Sequence, residues 1–334
     1  MRLWLVFLGL LPILLVGSGP GAVASTPALP QHNGLIAAHG DDGLYLVNPT
    51  AGSVAAVPGT AEAIDAAWSP DGTRLAVSLW TAEDELPGVY TMKPDGSDRT
   101  LVVRNGSSPT WSPDGKSLAV VRQPYLESAR TQLVVVSADG ADERVLLPKT
   151  GTAQTFFSTP AWSPDGKLIA FVADGGRIGL VSPDGEKGGA FDVDPSGSNL
   201  SWSPDSSRLA FDSYRESKSE SRQVVVVLDL ASGKETVLPG EQDGAQAPEW
   251  SPEGDQIAFL SIKNELTQTT TSTTTTHSCG GEPSALHLWS MRPDGTKAHK
   301  LTEAQFYGRL SWGRSAEALP RRLPWQMKSR RLPR

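Results

Sequence analysis

The sequence predicts an all-β fold, a six-bladed propeller of four-stranded antiparallel blades, and three observations carry that expectation. Trp-Ser-Pro-Asp-Gly recurs unchanged at 68–72, 111–115 and 162–166. Trp68, Trp111, Trp162, Trp202, Trp250 and Trp312 follow one another at intervals of 43, 51, 40, 48 and 62 residues, a period that fits a propeller array. The first five are each followed by a turn and an apolar run, such as Leu75-Ala76-Val77 or Leu209-Ala210-Phe211.

The turn comes first. Pro presets φ near −65°, Asp accepts hydrogen bonds from local backbone, and Gly takes the left-handed conformation of a bulged hairpin. Asp71, Gly72, Asp114, Gly115, Asp165, Gly166 and Asp205 are therefore read as scaffold. A third strand follows in each unit (89–92, 133–136, 178–181, 224–228 and 286–289), and most end in a second turn of the same kind, such as Pro94-Asp95-Gly96. A weaker fourth strand completes the blade. Before Trp68 lie three strands, 34–38, 44–47 and 54–57. After the last full unit a lone strand, 309–312, runs into Gly-Arg-Ser instead of a turn. A closing strand that pairs with the first three needs no hairpin after it, so the C-terminal Trp312 strand is expected to latch the ring. Each Trp is expected to fill the space between adjacent sheets.

Around the propeller, assigned to 34–314, the chain divides by composition. Residues 1–24 read as a signal peptide: Arg2, an apolar run, then Ala22-Val23-Ala24. The run is interrupted by Pro12 and falls short of the roughly 20 apolar residues of a spanning helix, so no transmembrane span is expected after cleavage and the protein is expected in the periplasm or outside the cell. Residues 25–33 form a short linker. A Thr-rich insertion at 264–284 has no means of forming a core and reads as a solvated or glycosylated excursion. Residues 315–334 form a basic tail. The single cysteine, Cys279, permits no internal disulfide. Net charge is −7; without Arg2 and the six basic residues of 320–334 the body stands near −14, which argues against nucleic acid. The tail is a candidate for contact with an anionic surface. A monomer is expected.

The Trp-Ser-Pro-Asp-Gly turns with strands such as Leu168-Ile169-Ala170-Phe171 resemble the WD-repeat-like propeller of the TolB family and the propellers of prolyl-oligopeptidase-type enzymes. The resemblance implies the fold across nearly all of 34–312. From TolB-like proteins it implies work in the bacterial envelope by binding partners. Those proteins carry a small α/β domain ahead of the propeller, whereas about ten residues separate Ala24 from the first strand here. The peptidases add an α/β-hydrolase domain with Gly-x-Ser-x-Gly; that motif does not occur in the sequence, and peptidase activity is not expected.

No catalytic residue, cofactor or metal is assigned from the residues. His277 and Cys279 are too few for a soft-metal site, and the Asp-Gly-x-Asp stretches lack calcium-loop spacing. The alternative is a propeller enzyme acting on carbohydrate as a lyase or hydrolase, with a metal-assisted site at the channel mouth involving His39, His287 and His299. The preferred reading is a non-catalytic scaffold binding an envelope protein or glycan on the face opposite the Pro-Asp-Gly turns. Trp80, Arg122, Tyr125, Phe156, Tyr214, Arg215, Phe306 and Tyr307 sit in those connections, and aromatics with Arg are what interface centres favour. Phe157 and Phe306 have packing between blades as their other role. Three residues before each Trp lie Asp65, Ser108, Thr159, Asn199, Ala247 and Arg309, a mostly polar ring near the mouth. Glu249, where other blades have Ala, Thr or Ser, is expected to pair with Arg309 or meet a ligand.

Overall fold

The computed structural model describes residues 33–81, 86–123, 131–148, 157–173, 176–193, 199–216, 221–238, 244–262 and 286–315. Among these residues twenty-four strands form six four-stranded antiparallel sheets. Blade 1 joins β1 (Asn33–Gly40), β2 (Gly43–Val47) and β3 (Val54–Ala56) to the last strand, β24 (Tyr307–Arg314). Blade 2 is β4 (Ala63–Trp68), β5 (Leu75–Leu79), β6 (Gly88–Met92) and β7 (Thr100–Val103). Blade 3 is β8 (Gly106–Trp111), β9 (Ser117–Arg122), β10 (Gln132–Ser137) and β11 (Glu143–Leu147). Blade 4 is β12 (Phe157–Trp162), β13 (Ile169–Ala173), β14 (Arg177–Val181) and β15 (Gly188–Phe191). Blade 5 is β16 (Leu200–Trp202), β17 (Arg208–Glu216), β18 (Ser221–Asp229) and β19 (Glu235–Val237). Blade 6 is β20 (Gln246–Trp250), β21 (Ile257–Ser261), β22 (His287–Met291) and β23 (His299–Gln305).

The ring closes as the sequence predicts, with Trp312 opposite Ile36 and Ser311 opposite Ala37. On the turn face each Ser after the Trp is the pivot. Ser69 Oγ donates to Asp71 at 2.6 Å and accepts the Arg74 amide at 2.9 Å, while the Gly72 amide reaches the Ser69 carbonyl. Ser112, Ser163 and Ser203 repeat this with Asp114, Asp165 and Asp205. In blade 5 Ser206 takes the left-handed conformation that Gly takes elsewhere, at φ 60°. In blade 6 Glu253 replaces the Asp, and Ser251 Oγ turns to Asp255 at 2.9 Å instead.

Apolar strands facing a neighbour on both sides give one core per blade junction. Six clusters result, for instance Ala37, Leu44, Trp68, Leu75 and Val77 between blades 1 and 2, and Ile36, Leu260, Leu288, Leu310 and Trp312 between blades 6 and 1. Burying one such side chain contributes roughly 1.5–3 kcal/mol. Trp68, Trp111, Trp202, Trp250 and Trp312 are buried and Trp162 half-buried.

A second set of bonds stitches the junctions, and the residue before each Trp decides its form. Where that residue is polar, its side chain accepts the next blade's Trp amide: Thr110 from Trp162, Ser201 from Trp250, Ser311 from Trp68 and Glu249 from Trp312. Where it is Ala, at 67 and 161, its carbonyl accepts the next indole N–H, from Trp111 and Trp202.

Candidate functional site

The innermost strands line a channel whose two ends differ. At the turn face the six Trp residues border a cavity of about 200 Å³. At the loop face a cavity of about 490 Å³ opens, bounded by Ile64, Asp65, Ser108, Thr159, Asn199 and Arg309 among others. Five of the six residues of the sequence-derived ring thus meet there; Ala247 is buried and does not reach the cavity. The ring is shaped by a repeated irregularity. Ser108, Thr159 and Ala247 have φ of 53°, 41° and 54° inside their strands, each at a register shift against the neighbouring strand. In blade 1 Gly308, at φ 74°, occupies the corresponding stretch. These bulges re-aim the strand at the channel mouth. A left-handed β-branched residue such as Thr159 carries local strain that its surroundings offset.

Charge is concentrated where the two cavities meet. Arg309 lines both and donates from Nη2 to the Pro160 carbonyl of blade 4, the blade opposite its own, at 3.1 Å; its buried Nη1 has no hydrogen-bond partner. Asp65 accepts Ser78 Oγ at 2.6 Å and the Ser108 amide at 3.1 Å. Burial raises the Asp65 carboxyl, against the Ser78 bond and the Arg309 charge. Burial also pushes Glu249 up to about 7, against the pull of Arg309. Glu249 was expected to pair directly with Arg309. Its oxygen instead accepts the Trp312 amide at 3.4 Å, so it serves the ring-closing seam and feels Arg309 only through space, while the Arg309 hydrogen bond goes to Pro160.

The other sequence-derived positions separate by role. Trp80 is 39% exposed and Tyr307 37% exposed. Tyr214 is 55% exposed, and it stands not in a loop but in a ribbon formed by the extended β17 and β18, opposite Gln223. Arg122 pairs with Glu143 and Gln132, and Arg215 with Glu235, so both are held against carboxylates of their own outer strands. Phe306 is 1% exposed in the core between blades 6 and 1, which is its packing role and removes it from the accessible surface. Tyr125 and Phe156 lie outside the described residues, as do residues 1–32, Cys279, His277, the Thr-rich insertion and residues 316–334 of the basic tail; Phe157 begins β12, and its side chain is likewise undescribed.

The three His residues of the enzymatic alternative do not converge. His39 is the penultimate residue of β1 and His287 begins β22, both toward the loop face, whereas His299 begins β23 after a turn on the opposite face. Among the described residues no group of three His, Cys, Asp or Glu side chains is placed to hold a metal ion. No described helix is long and apolar enough to cross a membrane.

Sequence reasoning missed two features of this mouth. Asp212 is buried, accepts Gln223 Nε2 at 2.6 Å through one oxygen and leaves the other unpartnered; burial pushes it up to about 6. The available signal was its position, three residues beyond the strand residue opposite Trp202, where blades 3, 4 and 6 carry Val121, Val172 and Leu260. The second is a cluster on blade 1: the Tyr307 hydroxyl donates to Asp41 at 2.9 Å, and the His39 ring meets Tyr307 edge-on at 4.7 Å.

No protein-family model matches the chain. Among curated proteins, an uncharacterized peptidase of Bacillus subtilis, YuxL, is 28% identical over 203 residues, covering 58% of this chain and 29% of the relative, so the chain spans under a third of that protein. TolB propellers are among the structural neighbours. TolB from Acinetobacter baumannii superimposes with a TM-score of 0.62 at 16% identity, over 83% of this chain and 65% of that one. A putative TolB from Agrobacterium tumefaciens gives 0.58 at 17% identity, over 81% and 88%. The likeness is one of fold: an all-β, six-bladed propeller.

Proposed function

We propose that this chain is an exported, non-catalytic propeller that binds an envelope protein or glycan at the loop-bearing mouth of its channel. One observation supports this reading above the others. Of the seven exposed large apolar side chains among the described residues, five (Ile64, Trp80, Tyr214, Ile262 and Tyr307) lie at the loop-face ends of their strands. The remaining two, Val145 and Val237, are on outer edge strands. Accessible apolar surface around a concave polar centre is the composition of a recognition site: area excludes water, and a few polar groups fix orientation. Asp65, Asn199 and Arg309 would supply those groups. Export rests on the character of residues 1–24, and the basic residues of 320–334 would add contact with an anionic surface.

The purified chain used as bait in envelope extract tests the reading. Trp80→Ala combined with Tyr214→Ala is expected to abolish capture of the partner that the unaltered chain retains, without lowering thermal stability. Val145→Ala combined with Val237→Ala should leave capture intact. Equal capture by both variants would move recognition off this face.

A further inference from the structure

The loop face carries a feature narrower than its general apolar character. At the junction of blades 1 and 2, three of the exposed apolar residues adjoin. Gly308, next to Tyr307, approaches the Ile64 carbonyl; the Trp80 amide donates to the Glu62 carbonyl at 3.1 Å; and Ala63, between Glu62 and Ile64, pairs with Leu79, next to Trp80. Three exposed acids, Asp41, Asp42 and Glu62, border the same surface. The neighbouring described bases do not neutralise it. Arg309 is directed into the channel wall and bonded to Pro160, and Arg104, in the turn between β7 and β8 at the next junction, has a partner of its own.

Resting on the binding reading above, we propose that the rim where blades 1 and 2 meet docks a cationic peptide segment in which Lys or Arg alternates with apolar side chains.

Each element of the surface favours that chemistry. Trp80 and Tyr307 offer aromatic faces that attract an ammonium or guanidinium as well as an apolar side chain. Asp41 is oriented by the Tyr307 hydroxyl, whose own proton is retained because burial and the Asp41 bond push Tyr307 up to about 12. The Trp80 backbone is pinned at the end of β5, so little ordering is needed on binding. An extended peptide projects alternate side chains to opposite sides, allowing one row to cover Ile64 and Trp80 while basic groups reach the acids along the border. A neutral glycan would cover the aromatics and leave the acids without partners, and an anionic one would be repelled.

Fluorescence anisotropy on the full chain tests this with a labelled dodecapeptide alternating Arg with Leu and Trp, and with versions carrying Gln or Glu for Arg. The Arg peptide is expected to bind saturably, to weaken with added salt, and to lose about tenfold in affinity with Glu62→Gln combined with Asp42→Asn, or separately with Trp80→Ser. Asp142→Asn combined with Glu186→Gln, which removes two acids from the turn face, should leave binding unchanged. Equal binding of the Gln peptide, equal loss with the turn-face variant, or preference for a neutral glucan oligosaccharide would overturn the proposal. The same variants in the envelope capture separate the two readings. Capture that survives when no Arg peptide binds overturns this site and leaves recognition at the mouth; peptide binding here with capture indifferent to Trp80 and Tyr214 upholds this site and overturns the other.

Discussion

The two faces of the ring are built by opposite rules. On the turn face one solution is repeated: a Ser hydroxyl pins an Asp and the amide five residues on, and the following blade is tied in through its Trp. Hydroxyl donors hold Asp114, Asp139, Asp184 and Asp205 below the ordinary carboxylate range; at Asp71 and Asp165 burial opposes them and the donors prevail. On the loop face, beyond the bulge that blades 3, 4 and 6 share, the blades present different side chains. Blade 1 presents Tyr307 on Asp41, blade 2 Trp80, and blade 5 a two-stranded ribbon with Tyr214. Repetition marks what holds the ring together, and departure from it marks where the molecule distinguishes itself.

The largest test strikes the closing strand. Trp312 is 6% exposed, packs on Ile36 and Leu310, and donates its indole N–H to the Gly34 carbonyl at 3.2 Å. Trp312→Ala is expected to cost roughly 3–5 kcal/mol, read as a drop in the urea midpoint. A cost under about 1 kcal/mol would mean that the latch is dispensable and that the turn face does not govern stability.

Glu249 belongs to the repeated seam by position and departs from it in chemistry, which makes it sensitive to pH. Its folded value is raised from 4.5 to about 7. The folded state therefore binds the proton more tightly than the unfolded chain, so the contribution to stability is full below pH 4.5 and is lost as pH rises through about 7. Glu249→Gln keeps an acceptor for the Trp312 amide and removes the charge. The variant should match the unaltered protein near pH 4.5 and exceed it at about pH 8, by up to something on the order of 3 kcal/mol. Asp212, raised to about 6, leaves a smaller slope of the same sign in the variant. The turn aspartates act in the opposite sense and only at lower pH, because their folded values are depressed. Stability curves of both proteins across this range decide the matter; parallel curves would remove Glu249 as the source.

How far each face could be read beforehand follows from the same division. Trp-Ser-Pro-Asp-Gly states its own conformation, since Pro, Asp and Gly each have one physical reason to be there, and the unmatched strands at the two ends of the chain announce the latch. The polar ring three residues before each Trp was legible as a position. The bulge that directs it was not, because Ser108, Thr159 and Ala247 carry no preference for positive φ and adopt it only under tertiary constraint. Phe306 and Tyr307 show the limit most plainly. Adjacent and both aromatic, they differ sharply in exposure, 1% and 37%, because Phe306, the one-residue link between β23 and β24, turns into the core between blades 6 and 1 while Tyr307 opens β24 at the rim, and the sequence does not say which of the two faces water. Arg122 and Arg215 were legible as loop-face cations, while their outer-strand partners Glu143 and Glu235 became visible only once the strands were paired.

The smallest expected effects give the sharpest contrast, because two substitutions of modest size should separate cleanly. Ser163 is fully buried; its hydroxyl donates to Asp165 at 2.7 Å and accepts the Leu168 amide at 2.9 Å. Ser163→Ala strands both partners and is expected to cost about 1–2 kcal/mol. Tyr214 is a larger residue and loses far more atoms on truncation, yet it is more than half exposed on a ribbon whose register is set by backbone pairing from Arg208 opposite Asp229 to Glu216 opposite Ser221. Tyr214→Ala should therefore stay within about 0.5 kcal/mol of the unaltered protein. Thermal unfolding of the two variants side by side reads the difference directly. Should Tyr214→Ala cost as much as Ser163→Ala, the ribbon would be a structural brace, and the loop face would share the role here given to the turns alone.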